Sequence, residues 1–349
     1  MQINHLTLEQ KICQMLMVGF RGTDLKDIHW LKNYLENGLI GGVILFETDR
    51  ETNTIRNIQS SEQLKKLTGD LSAASKVPLF IAIDQEGGKV SRLNSRNGFE
   101  DFPSHAELGQ TNDEKTAKIV FLKIAEALHN MGINVNFAPV VDLAINSDNK
   151  VVVQNNRCFS ANPMEVAKFA QYFIEAHNKF NVLSVAKHFP GHGSSQQDSH
   201  FDWTNVSNTW KSLELKPYEI LNGAGTLPGV MVGHIYNKNF DPNFPASLSH
   251  IWVEEILRKQ IGFEGLVFTD DLQMKSISNN FTLEETTELA LIAGNDILLF
   301  ANQINYIENL PEKFIQIVLD LLNRNKIKLE RIYRSFERIM NFKQQIMLN

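Results

Sequence analysis

Along the chain, short apolar runs alternate with longer stretches whose apolar positions recur every three or four residues. Eight runs predict strands: MLMVGF (15–20), GGVILF (41–46), PLFIAID (78–84), NVNFAPVVD (134–142), VLSVAKHF (182–189), GVMVGH (229–234), GLVFTD (265–270) and DILLF (296–300). Most are nearly continuous in Val, Ile, Leu and Phe. Strands read this way when helices cover both faces of a parallel sheet. Between them lie helical stretches. Thr111 and Glu114 form a capping box ahead of a helix through Met131, in which Val120, Ile124, Ala127, Leu128 and Met131 share a face. Gly132 stands where its C-terminal cap belongs. Thr282 and Glu285 repeat the box, and Gly294 closes that helix. Strand then helix, about eight times, predicts an α/β fold: a single-domain (β/α)8, TIM-like barrel, with an open doubly wound sheet as the alternative. Residues 1–302 form the barrel in this reading, and 303–349 its last helix plus a C-terminal helical extension of the same domain. Arg331, Arg334 and Arg338 in that extension are expected on a solvated face.

Composition narrows the partners. With 349 residues, 43% of them apolar, the chain can bury a sizeable core. A balance of 34 Lys and Arg against 40 Asp and Glu gives a net charge of −6 and no basic patch for nucleic acid. Cys13 and Cys158, far apart in sequence, fit a reducing compartment better than a disulfide framework. The opening MQINHLTLEQ has no basic stretch followed by an apolar one, so no secretory signal is expected. No run of 18 apolar residues occurs, so no membrane span is expected either. The expectation is a cytoplasmic monomer with no membrane or nucleic-acid partner.

In a barrel of this kind the active site is built at the C-terminal ends of the strands. Asp84, Asp142, Lys187 with His188, His234 and Asp270 all fall there, on five strands aimed at one mouth. The densest segment, KHFPGHGSSQQDSH (187–200), is too polar and glycine-rich for core and suggests a lid over the mouth. Two chemistries compete. His188, His192, His200, His234 and Asp270 could ligate zinc. Against this, no His-x-His pair ends an early strand, no His-Glu-x-x-His helix occurs, and Lys187 beside His188 would repel a cation. The alternative is work on a glycosidic bond, which needs one ionised carboxylate and one group that donates and then accepts a proton. Asp270 beside Lys187, with Arg157 as a further neighbouring cation, suits the first role. His200, oriented by Asp198, suits the second.

The segments KHFPGHGSSQQDSH, IDQEGGKVSR (83–92) and GFEGLVFTDDLQM (262–274) together resemble glycoside hydrolase family 3, and within it the bacterial NagZ-type β-N-acetylhexosaminidase branch. The similarity runs from about residue 10 to residue 300. It implies a retaining enzyme that releases terminal β-linked N-acetylglucosamine through a covalent glycosyl-enzyme. The small carbohydrate expected as its partner is N-acetylglucosamine joined to 1,6-anhydro-N-acetylmuramic acid, with or without peptide, from peptidoglycan recycling. The resemblance makes Asp270 the nucleophile rather than Asp271, His200 the acid/base, and Asp198 the group that orients it. Asp84, Arg92, Arg157, Lys187 and His188 become sugar-binding positions, with neither cofactor nor metal. Cys158 after Arg157 and Lys89 in the EGG segment depart from the family pattern and bear on specificity. Relatives with a histidine acid/base that use phosphate in place of water keep a phosphorylase as the alternative reaction. A sugar-binding barrel without activity would have to lack the nucleophile or the dyad, and both are present.

Overall fold

The computed structural model describes residues 5–196 and 203–348. Its centre is an all-parallel barrel of eight strands: β1 (Leu16–Gly19), β2 (Gly42–Ile44), β3 (Phe80–Ile83), β4 (Val135–Asn136), β5 (Leu183–Phe189), β6 (Gly229–Val232), β7 (Leu266–Thr269) and β8 (Leu298–Phe300). Each strand pairs with its neighbour in sequence, and β8 returns to β1 in the register Leu16 with Leu298. The seam between β7 and β8 is thinnest, joined by the bridge Phe268 with Ile297 and by Leu299 N–H donating to Thr269 Oγ1 at 3.0 Å. All residues of these eight strands are buried, which is why the sequence shows runs rather than alternation. The open-sheet alternative is excluded by the β7–β8 contacts, which join the two ends of the strand order.

Each strand leads to a helix on the outside: α1 (His29–Glu36), α2 (Ser61–Ala74), α3 (Glu114–Asn130), α4 (Pro163–Asn178), α5 (Lys216–Gly223), α6 (Ile251–Gln260), α7 (Leu283–Ala293) and α8 (Leu310–Asn323). Local chemistry sets their starts. Ser60 caps α2, Asn162 caps α4 ahead of Pro163, and the Thr282–Glu285 box opens α7, which Gly294 ends at φ 112°. The expected box at Thr111 does not form. Thr111 ends the short helix His105–Thr111, Asn112 turns left-handed, and Asp113 caps α3 by accepting from Lys115 and Thr116 N–H. Its buried stripe is Ala117, Phe121, Ile124, Ala125 and Leu128, with Val120, Ala127 and Met131 half-buried at its margin.

The predicted fourth strand is cut to two residues. Pro139 has no N–H to donate, and beyond it the segment keeps only the bridge Val140 with Lys187. The C-terminal helix Leu329–Leu348 is not a plain solvated face. Arg331 donates to the carbonyls of Leu291 and Asn295, and Arg338 reaches the fully buried Asp296 at 3.2 Å; Arg334 stays exposed. Asp296 also takes Arg258 at 2.6 Å, so one carboxylate ties α6 and the last helix to the foot of β8. Cys13 and Cys158 are buried free thiols. Among the described residues no helix is long and apolar enough to cross a membrane.

Candidate active site

The ends of β3, β5 and β7 converge as expected on one cavity of about 210 Å³, lined among others by Asp84, Arg92, Arg157, Lys187, His188, His192, Asp270 and Asp271, whereas Asp142 and His234, also expected at the mouth, do not line it. Phe46, Phe137, Met231 and Leu299 supply apolar wall, and Arg50, Val151 and Ile304 also line it.

Lys187 and His188 are adjacent in sequence, and a regular strand would send them to opposite faces. They line the same cavity because β5 slips against β6: Ala186 faces Val230, but Phe189 faces Val232. A register irregularity of this kind re-aims side chains at a barrel rim. The Lys187–His188 peptide is cis.

Asp84 leaves β3 into a tight antiparallel hairpin, Gln85–Gly87 against Val90–Ser91. The Gln85 side chain closes it by accepting from Leu93 N–H and donating to Leu93 O. Gly87 (φ 102°) makes the turn, and a side chain there would meet Pro103 O at 2.2 Å. The hairpin folds Arg92 back to Asp84 at 3.4 Å. Lys187 Nζ then lies 2.8 Å from Asp84 Oδ1 and 2.7 Å from Glu86 Oε1. Arg157 meets Glu86 through two parallel bonds of 2.8 Å. Burial opposes ionisation of Asp84 and Glu86, but the facing Lys187, Arg92 and Arg157 prevail and hold both below the usual carboxylate range. Burial likewise works against the charge on Lys187, and Asp84 and Glu86 overcome it, so its pKa is raised.

Asp142 lies behind the wall. It accepts from His188 Nδ1 at 2.7 Å and from the backbone N–H of His188 and His192. That bond turns His188 Nε2 toward Arg157 Nη2, 3.5 Å away. His192 gives Nδ1 to the Ser195 hydroxyl, and burial pushes its pKa down to about 4. The loop at 192–195 is pinned: Asn149 donates to His192 O and Ser195 Oγ, and Glu214 accepts from Gly193 N–H and the Ser194 hydroxyl. Only glycine fits at 193, since a Cβ there would stand 1.8 Å from Leu143 O.

The two carboxylates after β7 differ in state. Burial acts to raise Asp270, but His234, His188, the Asp271 N–H at 2.8 Å and Lys187 outweigh it and hold it low. Burial raises Asp271 to about 6, with Asp270 pushing the same way, although Ala301 and Gln273 N–H both donate to its Oδ1. His234 uses both nitrogens, Nε2 donating to Asp271 O at 2.8 Å and Nδ1 accepting from the Ser247 hydroxyl at 2.7 Å. Asp270 is thus held as the carboxylate, while Asp271 takes up its proton nearer neutrality than an ordinary aspartate does.

Of the residues singled out from sequence, Asp84, Arg92, Arg157, Lys187, His188 and Asp270 come together. Of the segment 187–200 expected as a polar lid over the mouth, residues 187–195 are instead buried, held by Asp142, Asn149 and Glu214, and 197–200, with Asp198 and His200, lie outside the described residues. Arg157, expected as a neighbour of Asp270, spends its charge on Glu86 instead. Cys158 is buried, and exposed Lys89 reaches Asn155 at 3.2 Å without lining the cavity. The zinc alternative finds no group of three His, Cys, Asp or Glu placed to hold a metal among the described residues. Glu86 was missed. Its signal was present, because in an extended segment positions two apart share a face, and Glu86 follows Asp84 by two.

Residues 7–342 match the family described as glycosyl hydrolase family 3 N terminal domain. A beta-hexosaminidase of Idiomarina loihiensis is 34% identical over 336 residues, covering 92% of this chain and 96% of that protein. One from Neisseria meningitidis serogroup B is 35% identical over 294 residues, 81% of this chain and 77% of its own. Among solved structures, a glycoside hydrolase family 3 beta-N-acetylglucosaminidase from Paenibacillus sp. str. FPU-7 superposes with a TM-score of 0.88 at 32% identity. The match covers 98% of this chain but 63% of that longer one.

Proposed function

We propose that this chain, which belongs to glycosyl hydrolase family 3, is a β-hexosaminidase that releases terminal β-linked N-acetylglucosamine with retention of configuration. The beta-hexosaminidases it resembles along most of their length support the reaction class. The observation that carries the mechanism is the split between Asp270, held ionised in the cavity, and Asp271, pushed toward the neutral acid.

In this mechanism an Asp270 carboxylate oxygen attacks C1 of the sugar as the C1–O bond to the leaving group breaks. His200, protonated and oriented by Asp198, hands its proton to the departing oxygen. It then takes a proton from water as that water attacks C1, the Asp270–C1 bond breaks, and the β-anomer leaves. Asp84 offers acceptor oxygens to the ring hydroxyls, while Lys187, Arg92 and Arg157 offer N–H donors and His188 its Nε2. The substrate follows from the resemblance: N-acetylglucosamine on 1,6-anhydro-N-acetylmuramic acid, with or without peptide, met in the cytoplasm by a monomeric enzyme that needs no cofactor.

Proton NMR of the first turnovers on 4-nitrophenyl β-N-acetylglucosaminide tests this reading. The β-anomer should appear first, and a leading α-anomer would sink retention. The same assay with and without inorganic phosphate distinguishes hydrolysis from phosphorolysis, since a sugar 1-phosphate would replace the free sugar.

A further inference from the structure

Glu86 is the least exposed member of the charged cluster, at 1%, and it does not line the cavity. It nevertheless engages both cations that do. Its two oxygens take Arg157 Nε and Nη2 at 2.8 Å each, and Oε1 also takes Lys187 Nζ at 2.7 Å. A lysine ammonium has three donors. Asp84 and Glu86 occupy two on Lys187, leaving one N–H for a ligand. Arg157 spends Nη1 on Val151 O at 3.3 Å and faces His188 with Nη2, so its free donor direction is likewise fixed by the bidentate pair.

We propose that Glu86 is a positioning residue for the hydrolysis. It locks the Lys187 ammonium and the Arg157 guanidinium so that each presents one free N–H to the same hexosamine, and its charge offsets theirs beside Asp270. Asp84 alone cannot do this, because it reaches Lys187 and Arg92 but has no bond to Arg157. The groups facing Glu86 are Arg157, Lys187, Asp84 and His105. Burial holds His105 down near 4, so this ring, whose Nδ1 lies 3.1 Å from Arg157 O, stays neutral and adds no charge to the cluster. Without Glu86, Lys187 keeps one carboxylate partner instead of two, and the cavity wall gains a net positive charge.

The inference rests on the β-hexosaminidase reading, and the test separates the two. Glu86→Gln and Glu86→Asp are compared with the wild type on 4-nitrophenyl β-N-acetylglucosaminide from pH 5 to 9, roughly the range where both limbs titrate. Thermal melts and calorimetric titration with N-acetylglucosamine run alongside. Glu86→Gln should raise KM about tenfold or more and weaken sugar binding to match, since a charge-held donor set is released. The alkaline limb of kcat/KM should move to lower pH. Glu86→Asp restores the charge but not the reach, so its pH profile should return while KM stays high. A lower melting temperature with unchanged KM, sugar affinity and pH profile would make Glu86 a structural ion-pair partner only and overturn the proposal. Should Glu86→Gln fail to fold, wild-type KM and sugar affinity in Glu86→Asp would overturn it equally. A wild type inactive on the glycoside defeats the reaction reading, and the proposal is then judged on sugar affinity alone.

Discussion

Glu214 offers a direct test of the electrostatic reasoning. It is 1% exposed, on the segment between β5 and α5. Burial, with the Asp142 carboxylate adding to it, raises its pKa from 4.5 to about 7, against the opposing pull of its Ser194 and Lys211 contacts. Such a displacement corresponds to about 3 kcal/mol between protonation states. Folding therefore takes up a proton between the two values. The stabilisation is whole below pH 4.5 and is lost as pH rises through about 7. Glu214→Gln replaces the titrating acid with a permanently neutral group of the same shape. The amide oxygen can accept from Gly193 N–H and Ser194 N–H, at 3.0 and 3.3 Å in the parent, while its NH2 donates to the Ser194 hydroxyl. Urea unfolding followed by tryptophan fluorescence should then show the variant gaining on the wild type by about 2–3 kcal/mol between roughly pH 5 and 8. Parallel stability curves across that range would refute the claim that Glu214 is buried as an acid.

Asp296→Ala leaves Arg258 buried with its carboxylate gone and should cost about 3–5 kcal/mol in urea unfolding; a loss under about 1 kcal/mol would mean water reaches the guanidinium. Asp270→Asn should lower kcat at least about a thousandfold, whereas Asp271→Asn, whose Oδ1 can still accept from Ala301 and Gln273 N–H, should stay within about tenfold. The reverse order would exchange their roles. Prolonged EDTA treatment should leave activity on the nitrophenyl sugar unchanged, and loss reversed by zinc would restore the metal reading.

The barrel was legible because its signal is collective. Eight runs with both faces covered must each be apolar at nearly every position, and that redundancy survives local surprises such as the shortening of β4 at Pro139. The capping box at Thr111 shows the opposite case. A four-residue pattern has a rival two residues along, and Asp113 prevailed because its carboxylate accepts from two N–H groups while Thr111 turns its hydroxyl back to Leu108 O. Asp84, Lys187, His188 and Asp270 could be read at strand ends, whereas Arg92 and Arg157 entered only through the family resemblance, and Asp142 and His234, also at strand ends, do not line the cavity. Asp84 and Asp270 needed only the strand boundary.

Position along one element could not reveal partners brought from elsewhere. Arg331 looked solvated because helical spacing gives a face but not what covers it, and its acceptors, Leu291 O and Asn295 O, belong to α7 and the turn after it. Glu86 is the same problem at the site: its pattern says it lies with Asp84, but only β5 slipping by a residue brings Lys187 within 2.7 Å. Charge gives a partial remedy. A cavity lined by Arg50, Arg92, Arg157 and Lys187 against Asp84, Asp270 and the partly protonated Asp271 has more cations than ionised acids, and partly buried cations in excess call for a further anion close by. Once the strand-end cations were assigned to one mouth, the acid two residues beyond Asp84 was the nearest group able to balance them.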